Sequence, residues 1–457
     1  MSTEQFDVTV IGSGPGGYVA AIRAAQVGLK TAVVERDETL GGRCLNVACI
    51  PAKAMLRAAD VLTEVRDGAE FGISTNGLEF DIKGAASHRD KVVKTLTGGV
   101  AGLMKKNKVD VLHGTAALAG KGRLSVDDQQ VEAERVVLAT GSVSLPIPGT
   151  SFEGRVLDTE AMWSLNEQPA RLAVVGAGAS GAEVASAFGR FGTEVVLIEM
   201  LDQILPLEDA EIAKVVASEL RKQNVKVVTG ARVENVKAGG KSVELDWGEG
   251  GQSFDYLCIA AGRGPDIEAL GLAEAGVKTT ERGQVEVDER GRTSAEGVWA
   301  IGDLVRGPAL AHKASEEGVI AVEDAAGMQA HPLDYDAIPG ATFCMPQVAS
   351  FGFTEEQARE RGADVVVGKF PMGGIGAATV YGDRKGMVKI VGDARYGELL
   401  GAHVVGARAT EMIAELVVAR ELEGGFEEVA RTIHPHPTFS EAVMEGARAT
   451  AGWAIHV

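Results

Sequence analysis

The chain has 457 residues, 24% of them charged and 45% hydrophobic, and a formal net charge of −19 at pH 7. That length suits two to four domains with substantial cores, and the acidic balance argues against a broad nucleic-acid surface. No uninterrupted apolar run reaches the ~20 residues needed to cross a bilayer, and the N-terminal Met1-Ser2-Thr3-Glu4-Gln5 leads directly into an apolar strand without a targeting signal. Cys258 and Cys344 stand alone in sequence, so no secreted disulfide framework appears. A cytoplasmic protein without membrane or nucleic-acid partners is therefore expected.

The first elements form a βαβ unit. FDVTVI (Phe6 to Ile11) is a short apolar strand, followed by Gly12-Ser13-Gly14-Pro15-Gly16-Gly17 and a helix-like run, YVAAIRAAQVG. A second strand, Lys30 to Val34, ends at Glu35. Gly12 permits a tight turn, Gly14 lets backbone amides approach a pyrophosphate, and Gly17 allows close packing of helix and strand. The helix N-terminus favours phosphate charge. Glu35 can accept hydrogen bonds from ribose hydroxyls and would repel a 2′-phosphate. A bare G-x-G-x-x-G carries little weight, but strand, helix, second strand and acidic terminus in register indicate a dinucleotide site.

The segment Gly41-Gly42-Arg43-Cys44-Leu45-Asn46-Val47-Ala48-Cys49-Ile50-Pro51-Ala52-Lys53 comes next. In a regular helix, Cα atoms at i and i+5 lie roughly 8.6 Å apart, whereas a disulfide needs them within about 7 Å. If Cys44 and Cys49 are bonded, the backbone between them departs from regular helix. The paired glycines allow a turn, and Pro51 biases Ile50 away from helix. A zinc site is a weaker reading, because no second half of a zinc motif exists. Two unrelated buried thiols remain the bland alternative. A helical region follows from His88 to Lys106.

The nucleotide pattern then recurs. Arg171 to Val175 is a strand, Gly176-Ala177-Gly178-Ala179-Ser180-Gly181 the turn, AEVASAFGRFG the helix, and TEVVLI a strand ending at Glu199. The acidic terminus, with no arginine soon after it, selects NAD over NADP. A non-binding Rossmann-like domain is the alternative. After Tyr335, the apolar runs VVVGKFPM, GMVKIVGD and LLGAHVVG suggest an antiparallel sheet. Thr438-Phe439-Ser440-Glu441 is a capping-box pattern, T-x-x-E, before the periodic run AVMEGARATAGW.

Four further segments carry a resemblance. They are ATGS at Ala139 to Ser142, AAGRGP at Ala260 to Pro265, VWAIGDLVRGPALAHKASEEG at Val298 to Gly318, and HPHPTFSE at His434 to Glu441. With GGRCLNVACIPAK and the two glycine fingerprints, the whole chain resembles the pyridine nucleotide–disulfide oxidoreductases. The resemblance implies an α/β fold with two Rossmann-like domains and a C-terminal α+β dimerisation domain. The expected boundaries are 1–147 for the first FAD segment, 148–265 for the NAD domain, 266–335 for the returning FAD segment and 336–457 for the interface domain.

The branch it resembles most oxidises protein-bound dihydrolipoamide through a Cys44–Cys49 disulfide and FAD, and reduces NAD+. By that resemblance Cys44 exchanges with lipoamide, Cys49 lies nearest the flavin, and His436 acts as base with Glu441 behind it. FAD is expected at Gly12, Gly14, Gly17, Glu35, Lys53, Gly114, Thr140, Gly141, Asp303 and Ala311. NAD is expected at Gly176, Gly178, Gly181, Glu183, Glu199, Val233 and Gly262. Lys53 would lie by the flavin and pair with Glu183, the bland reading being a solvated lysine. No metal is expected. A homodimer with shared active sites follows, served by the lipoyl domain of a 2-oxoacid dehydrogenase, glycine cleavage or another lipoate-binding system.

Several positions depart from the family pattern. Arg43 stands where threonine is usual, Ala48 replaces a glycine that would matter if its φ were positive, and Ala52 replaces a serine. Ala179-Ser180 replaces an aromatic–aliphatic pair, removing a side chain that can cover the flavin. Glu441 can equally be only a helix cap, and His434 reads as structural. A sibling reductase of another low-molecular-weight disulfide and a non-catalytic flavoprotein subunit binding a lipoyl domain stay open as alternatives. The lack of an extra C-terminal cysteine pair and the four catalytic positions weigh against them.

Overall fold

The computed structural model describes residues 4–456. Strand β1 (Glu4–Ile11) leads into helix α1 (Pro15–Gln26), and the chain returns as β2 (Thr31–Glu35). A short helix α2 (Gly42–Asn46) and the longer α3 (Cys49–Arg66) and α4 (Ile82–Lys106) follow. Then come β3 (Asp110–His113), β4 (Ala116–Leu118), β5 (Arg123–Val126), β6 (Gln129–Leu138) and β7 (Ser142–Ser144). The middle of the chain holds β8 (Val156–Asp158), α5 (Thr159–Trp163), β9 (Arg171–Val175), α6 (Ala179–Phe191), β10 (Glu194–Ile198), α7 (Ala210–Arg221) and β11 (Val225–Val228). Strands β12 (Glu234–Ala238), β13 (Val243–Asp246), β14 (Gln252–Phe254), β15 (Tyr256–Ile259), β16 (Arg263–Pro265) and β17 (Val298–Ala300) precede α8 (Ala311–Ala325). The last part runs β18 (Gly340–Thr342), β19 (Gln347–Gly352), α9 (Glu355–Glu360), β20 (Val365–Pro371), α10 (Gly376–Val380), β21 (Gly386–Asp393) and β22 (Leu399–Gly406), then α11 (Ala409–Glu421), α12 (Phe426–Arg431) and α13 (Glu441–Thr450).

These elements form two compact units. One comprises residues 4–54, Lys83–Leu145 and Gly262–Leu333, and the other Met55–Ile82, Pro146–Ala261 and residues 334–456. Among the described residues no helix is long and apolar enough to cross a membrane.

The first unit is built on a sheet of order β3-β2-β1-β6-β5-β4, with β17 also paired to β6. Strands β1, β2, β3, β6 and β17 run parallel, and β4 and β5 join antiparallel. Because both faces are covered, the central strands read as apolar runs rather than alternations. Val8, Val10 and Val33 face a core with Ala20, Ala24, Met104 and Ala321, while Phe6, Ala32 and Val34 face another with Leu124, Val126 and Val285. Helices α1 and α8 meet through glycines: a Cβ at Gly318 would lie 2.7 Å from the Gly16 carbonyl oxygen, and one at Gly16 would lie 2.8 Å from that of Ala314. Arg23 locks the same pair by bonding Glu323 at 2.5 and 2.9 Å. A separate ribbon pairs β7 with β16 antiparallel.

The second unit carries a parallel sheet of order β11-β10-β9-β15-β8 and a small antiparallel sheet β12-β13-β14. Its other main sheet is antiparallel, of order β18-β19-β22-β21-β20. The three apolar runs read from the sequence are β20, β21 and β22. Every residue of β22 is buried, since α11 packs against β19 and β22, and α7 also reaches β22. Helix α13 covers β20 and β21.

A buried ion cluster joins this sheet to the start of α7. Lys389, 2% exposed, bonds Asp209 and Glu211 at 2.8 Å each and Glu355 at 3.0 Å. Removing the lysine leaves the Asp209 carboxylate, 5% exposed at its side chain, desolvated and uncompensated. We expect Lys389→Met to lower unfolding stability by about 3 kcal/mol, measured as the shift in urea midpoint at constant slope; an unshifted midpoint would mean the cluster contributes nothing net.

Candidate functional site

The first glycine loop joins β1 to α1. Gly12 has φ +99, and a Cβ there would lie 2.5 Å from the Ala139 carbonyl oxygen. A Cβ at Gly17 would lie 1.9 Å from the Gly12 carbonyl oxygen, so the helix can approach the turn only without a side chain. At Gly14, by contrast, a Cβ would meet nothing within 4 Å. Gly14 is the N-cap of α1 and makes no side-chain cap bond. The N-terminus of α1 there carries a favourable helix dipole, the arrangement that suits a phosphate.

Glu35 closes the site from the end of β2. Its Oε2 accepts from the Ser13 amide at 3.0 Å and the Ser13 hydroxyl at 2.5 Å, and its Oε1 accepts from the Asp37 amide at 3.0 Å. The carboxylate is thus fixed, with acceptor capacity left on Oε1 for a ribose hydroxyl. The Gly114 amide donates to the Glu35 carbonyl at 2.9 Å, which brings the β3–β4 turn to the same edge.

The second loop repeats this construction. Gly176 has φ +93, a Cβ at Gly181 would lie 1.9 Å from the Gly176 carbonyl oxygen, and a Cβ at Gly178 would meet nothing within 4 Å. Glu199 at the end of β10 accepts from the Ala177 amide at 2.7 Å and the Leu201 amide at 3.0 Å. Both loops therefore fit a dinucleotide on their own geometry. Ala179, the first residue of α6, is exposed. Val233 is partly buried against the apolar core beneath β9 and β10. Glu183 is buried in α6 and accepts from the Phe343 amide at 2.9 Å.

The cysteines flank a break between two helices. Gly41 and Gly42 adopt φ of +106 and +56. A Cβ at Gly42 would lie 2.6 Å from the Gly14 Cα, so the cysteine segment is pressed against the first glycine loop. Helix α2 ends at Asn46, Val47 takes φ −136 and ψ −12, and α3 starts at Cys49. The departure from regular helix required of a bonded pair is present. The expected effect of Pro51 is not: Ile50 is helical, because Pro51 sits in the first turn of α3, where a missing N–H removes no intrahelical bond. Ala48 does not take a positive φ, so the side chain that replaces glycine meets no backbone conflict.

Both cysteines are thiols, hydrogen-bonded to each other. That bond, then burial and then the charge of Cys49 hold the Cys44 thiol well above the usual range, with Lys53 opposing and Asp303 adding to the rise. Lys53 thus lies within electrostatic reach of the dithiol from the first turns of α3. Ala52 is buried, and the Arg43 guanidinium donates to the Ser144 hydroxyl at 3.1 Å.

Asp303 lies in a short 3-10 turn between β17 and α8. It accepts from the Ser142 hydroxyl and faces Arg263 at 3.5 Å. The Thr140 hydroxyl donates to the Asp266 carbonyl at 2.6 Å, and the Gly141 carbonyl accepts from the Asp266 amide at 3.0 Å. Ala311 opens α8. Lys313 is buried and donates to the Gly302 and Arg306 carbonyls at 2.9 Å each, fixing the turn that carries Asp303.

In the second unit, His436 Nδ1 bonds Glu441 Oε1 at 2.9 Å, and Glu441 Oε2 accepts from the Thr438 amide at 2.9 Å. Burial raises the Glu441 carboxyl, but the bonds from His436 and Thr438 outweigh it and hold it below the usual range. The capping-box reading fails. Helix α13 begins at Glu441 itself, and the Thr438 hydroxyl donates to the Pro435 carbonyl at 2.8 Å instead of accepting a third-position amide. Glu441 therefore orients His436 while bonding one backbone amide.

Residues 6–318 match the family model described as pyridine nucleotide-disulphide oxidoreductase, and residues 338–447 match its dimerisation domain. The chain belongs to this oxidoreductase family. It is 44% identical over 459 residues to a dihydrolipoyl dehydrogenase of Thermus scotoductus, covering 99% of both chains. It is 41% identical to one from Bacillus subtilis, covering 100% of each. Among solved structures, LpdA from Mycobacterium tuberculosis superposes with a TM-score of 0.90 at 25% identity, over 98% of this chain and 99% of that one. The HOCl-induced flavoprotein disulfide reductase RclA from Escherichia coli gives 0.87 at 29% identity, over 96% and 99%.

Within this oxidoreductase the first unit gathers Gly12, Gly14, Gly17, Glu35, Cys44, Cys49, Lys53, Gly114, Thr140, Gly141, Asp303 and Ala311. The second gathers Gly176, Gly178, Gly181, Glu183, Glu199, Val233, His436 and Glu441. Gly262, expected with the second group, belongs to the first unit, where its carbonyl accepts from the Leu145 amide at 3.1 Å. Sequence reading gave no role to Ser13, Ser142 or Arg263, although each lies inside a segment it singled out: the first glycine loop, ATGS and AAGRGP.

His434 is held apart from this chemistry. Its Nδ1 bonds the Thr432 carbonyl and its Nε2 bonds Glu415, both at 3.0 Å, and its side chain is buried. The bond to Glu415 comes first among the effects that raise its pKa above the usual histidine value. A raised folded-state pKa adds stability that is complete below the unfolded value, about 6.5, and is lost as pH rises through the folded one. The stability gap between wild type and His434→Gln should therefore be larger at acidic than at mildly alkaline pH. Denaturant midpoints across that window test it, and a constant gap would show that the pair does not titrate.

Proposed function

We propose that the chain is a flavin-dependent dihydrolipoyl dehydrogenase, oxidising protein-bound dihydrolipoamide and reducing NAD+ to NADH. The observation that carries this reading is the hydrogen-bonded Cys44–Cys49 pair, pressed against a dinucleotide loop and within reach of Lys53. Full-length relatives of that name at 41–44% identity support it. FAD and NAD are the cofactors. The first loop with Glu35, Gly114, Thr140, Gly141, Asp303, Ala311 and Lys53 would hold FAD, and the second loop with Glu183, Glu199 and Val233 would hold NAD. The domain assignment proposed with this reading is FAD, NAD, FAD and interface, in chain order.

The chain's own residues supply thiol exchange. His436 Nε2 takes a proton from one thiol of dihydrolipoamide while Glu441, bonded at Nδ1, stabilises the imidazolium. The substrate thiolate attacks Cys44 Sγ of the oxidised pair, the Cys44–Cys49 bond breaks, and Cys49 leaves as a thiolate. The second substrate thiol then loses its proton and attacks the substrate sulfur bound to Cys44. Lipoamide leaves as a cyclic disulfide, and Cys44 is released and protonated. Two electrons now rest on the pair, with one proton on Cys44 and the other passed on by the histidine. This distribution matches the raised Cys44 thiol. FAD held by the first loop would supply the two-electron relay between this dithiol and NAD+.

The chain carries the family's dimerisation domain. A homodimer in which His436 serves the partner's cysteines is supported by the exposure of that histidine, 75% at its side chain, and of Ile433, 94%. The lipoyl domain of a multienzyme complex is the proposed substrate carrier.

Anaerobic titration with dihydrolipoamide should reduce the flavin and give a long-wavelength charge-transfer band, and NAD+ should then reoxidise it. Absence of flavin reduction by excess dithiol would refute the activity. Mixed Cys49→Ser and His436→Ala subunits should recover partial turnover after verified exchange, whereas no recovery would refute the shared site.

A further inference from the structure

Strand β7 carries two serines two positions apart, on one side of the ribbon. Each binds an arginine. The Ser144 hydroxyl accepts from Arg43 at 3.1 Å. The Ser142 hydroxyl accepts from Arg263 Nε at 3.0 Å and also from its Nη2, while the Ser142 carbonyl accepts from Nη2 at 3.0 Å. A hydroxyl has two acceptor lone pairs and one proton. With both lone pairs on Ser142 taken by the guanidinium, its proton has one direction left, toward Asp303 Oδ2, and that bond is present. Arg263 also faces Asp303 directly at 3.5 Å. Strand β16 fixes Arg263, because it pairs with β7 in the register Arg263 to Ser144 and Pro265 to Ser142.

We propose that Arg263 and Ser142 are positioning residues that act through Asp303, aiming its Oδ1 at a hydroxyl of the flavin polyol chain and offsetting the charge it presents to the redox centre. This rests on the reading of the first unit as the FAD site. The two residues divide the work. Ser142 sets direction, since it contributes one neutral hydrogen bond. Arg263 sets both direction and charge. The charge matters because Asp303 lies close enough to Cys44 to raise its thiol. An uncompensated carboxylate there disfavours adding electrons to either the flavin or the cysteine pair.

The test uses the purified holoenzyme. Release of FAD is followed by the fluorescence of the freed cofactor, and the midpoint potential by spectroscopic titration. Ser142→Ala should release FAD about tenfold faster, the effect of losing one hydrogen bond to a charged group, with its potential near that of wild type. Arg263→Gln should release FAD at least as fast and move the potential to more negative values. Arg263→Lys should keep the wild-type potential while still losing FAD faster, because it retains the charge but not the fork. Wild-type release rates in both Ser142→Ala and Arg263→Gln would overturn the proposal. So would equal potentials in Arg263→Gln and wild type. A wild-type protein that neither carries nor takes up FAD would instead overturn the FAD site itself.

Discussion

The absence of a side chain at two positions governs much of this molecule. At Gly17 and at Gly181 a methyl group would sit 1.9 Å from a carbonyl oxygen of the preceding turn. No rotamer change relieves such a contact, since backbone lies on both sides. The helix can therefore lie against its turn only as built, and only then do its first amides and the neighbouring carboxylate converge. Glu35 and Glu199 answer the same geometry by bonding back to Ser13 and Ala177 in their own loops. Each carboxylate is ordered before any ligand arrives, which lowers the entropy cost of binding.

The same constraint reaches the sulfur chemistry. Gly42 lies against Gly14, so the first glycine loop also fixes the start of the cysteine segment. The break at Val47 then lets Cys44 and Cys49 meet, which a continuous helix would forbid. The first glycine loop and the dithiol are thus placed by one local packing arrangement, and the cysteine pair needs no separate support.

Local features were legible in the sequence. Glycine spacing, the acidic strand ends and the three apolar strands β20 to β22 announce themselves through backbone chemistry and periodicity. His436 and Glu441, five positions apart, were also within reach of motif reading, although the role of Thr438 was not. Its hydroxyl turned to Pro435, and a pattern that spells a capping box became part of a histidine support. Partnerships across long separations were invisible. Ser142 meets Asp303 across 161 positions and Lys389 meets Asp209 across 180, and neither residue type at either end predicts the other. Pro51 shows a different limit: its bias on Ile50 is weaker than the helix whose first turn it occupies.

The threading of the chain has a consequence for its synthesis. Strand β17, near residue 300, pairs with β6, and α8 packs on α1, so the sheet begun by β1 is completed only after the whole intervening segment has been made. At roughly 5–20 residues per second, the N-terminal strands emerge from the ribosome many seconds before their last partner. During that interval one flank of β6 is exposed to wrong pairing. A nascent chain stopped near residue 260 would hold the complete second glycine loop and its parallel sheet, but an unfinished first one. Early binding of a nucleotide to the nascent protein would therefore favour the loop that comes second in sequence.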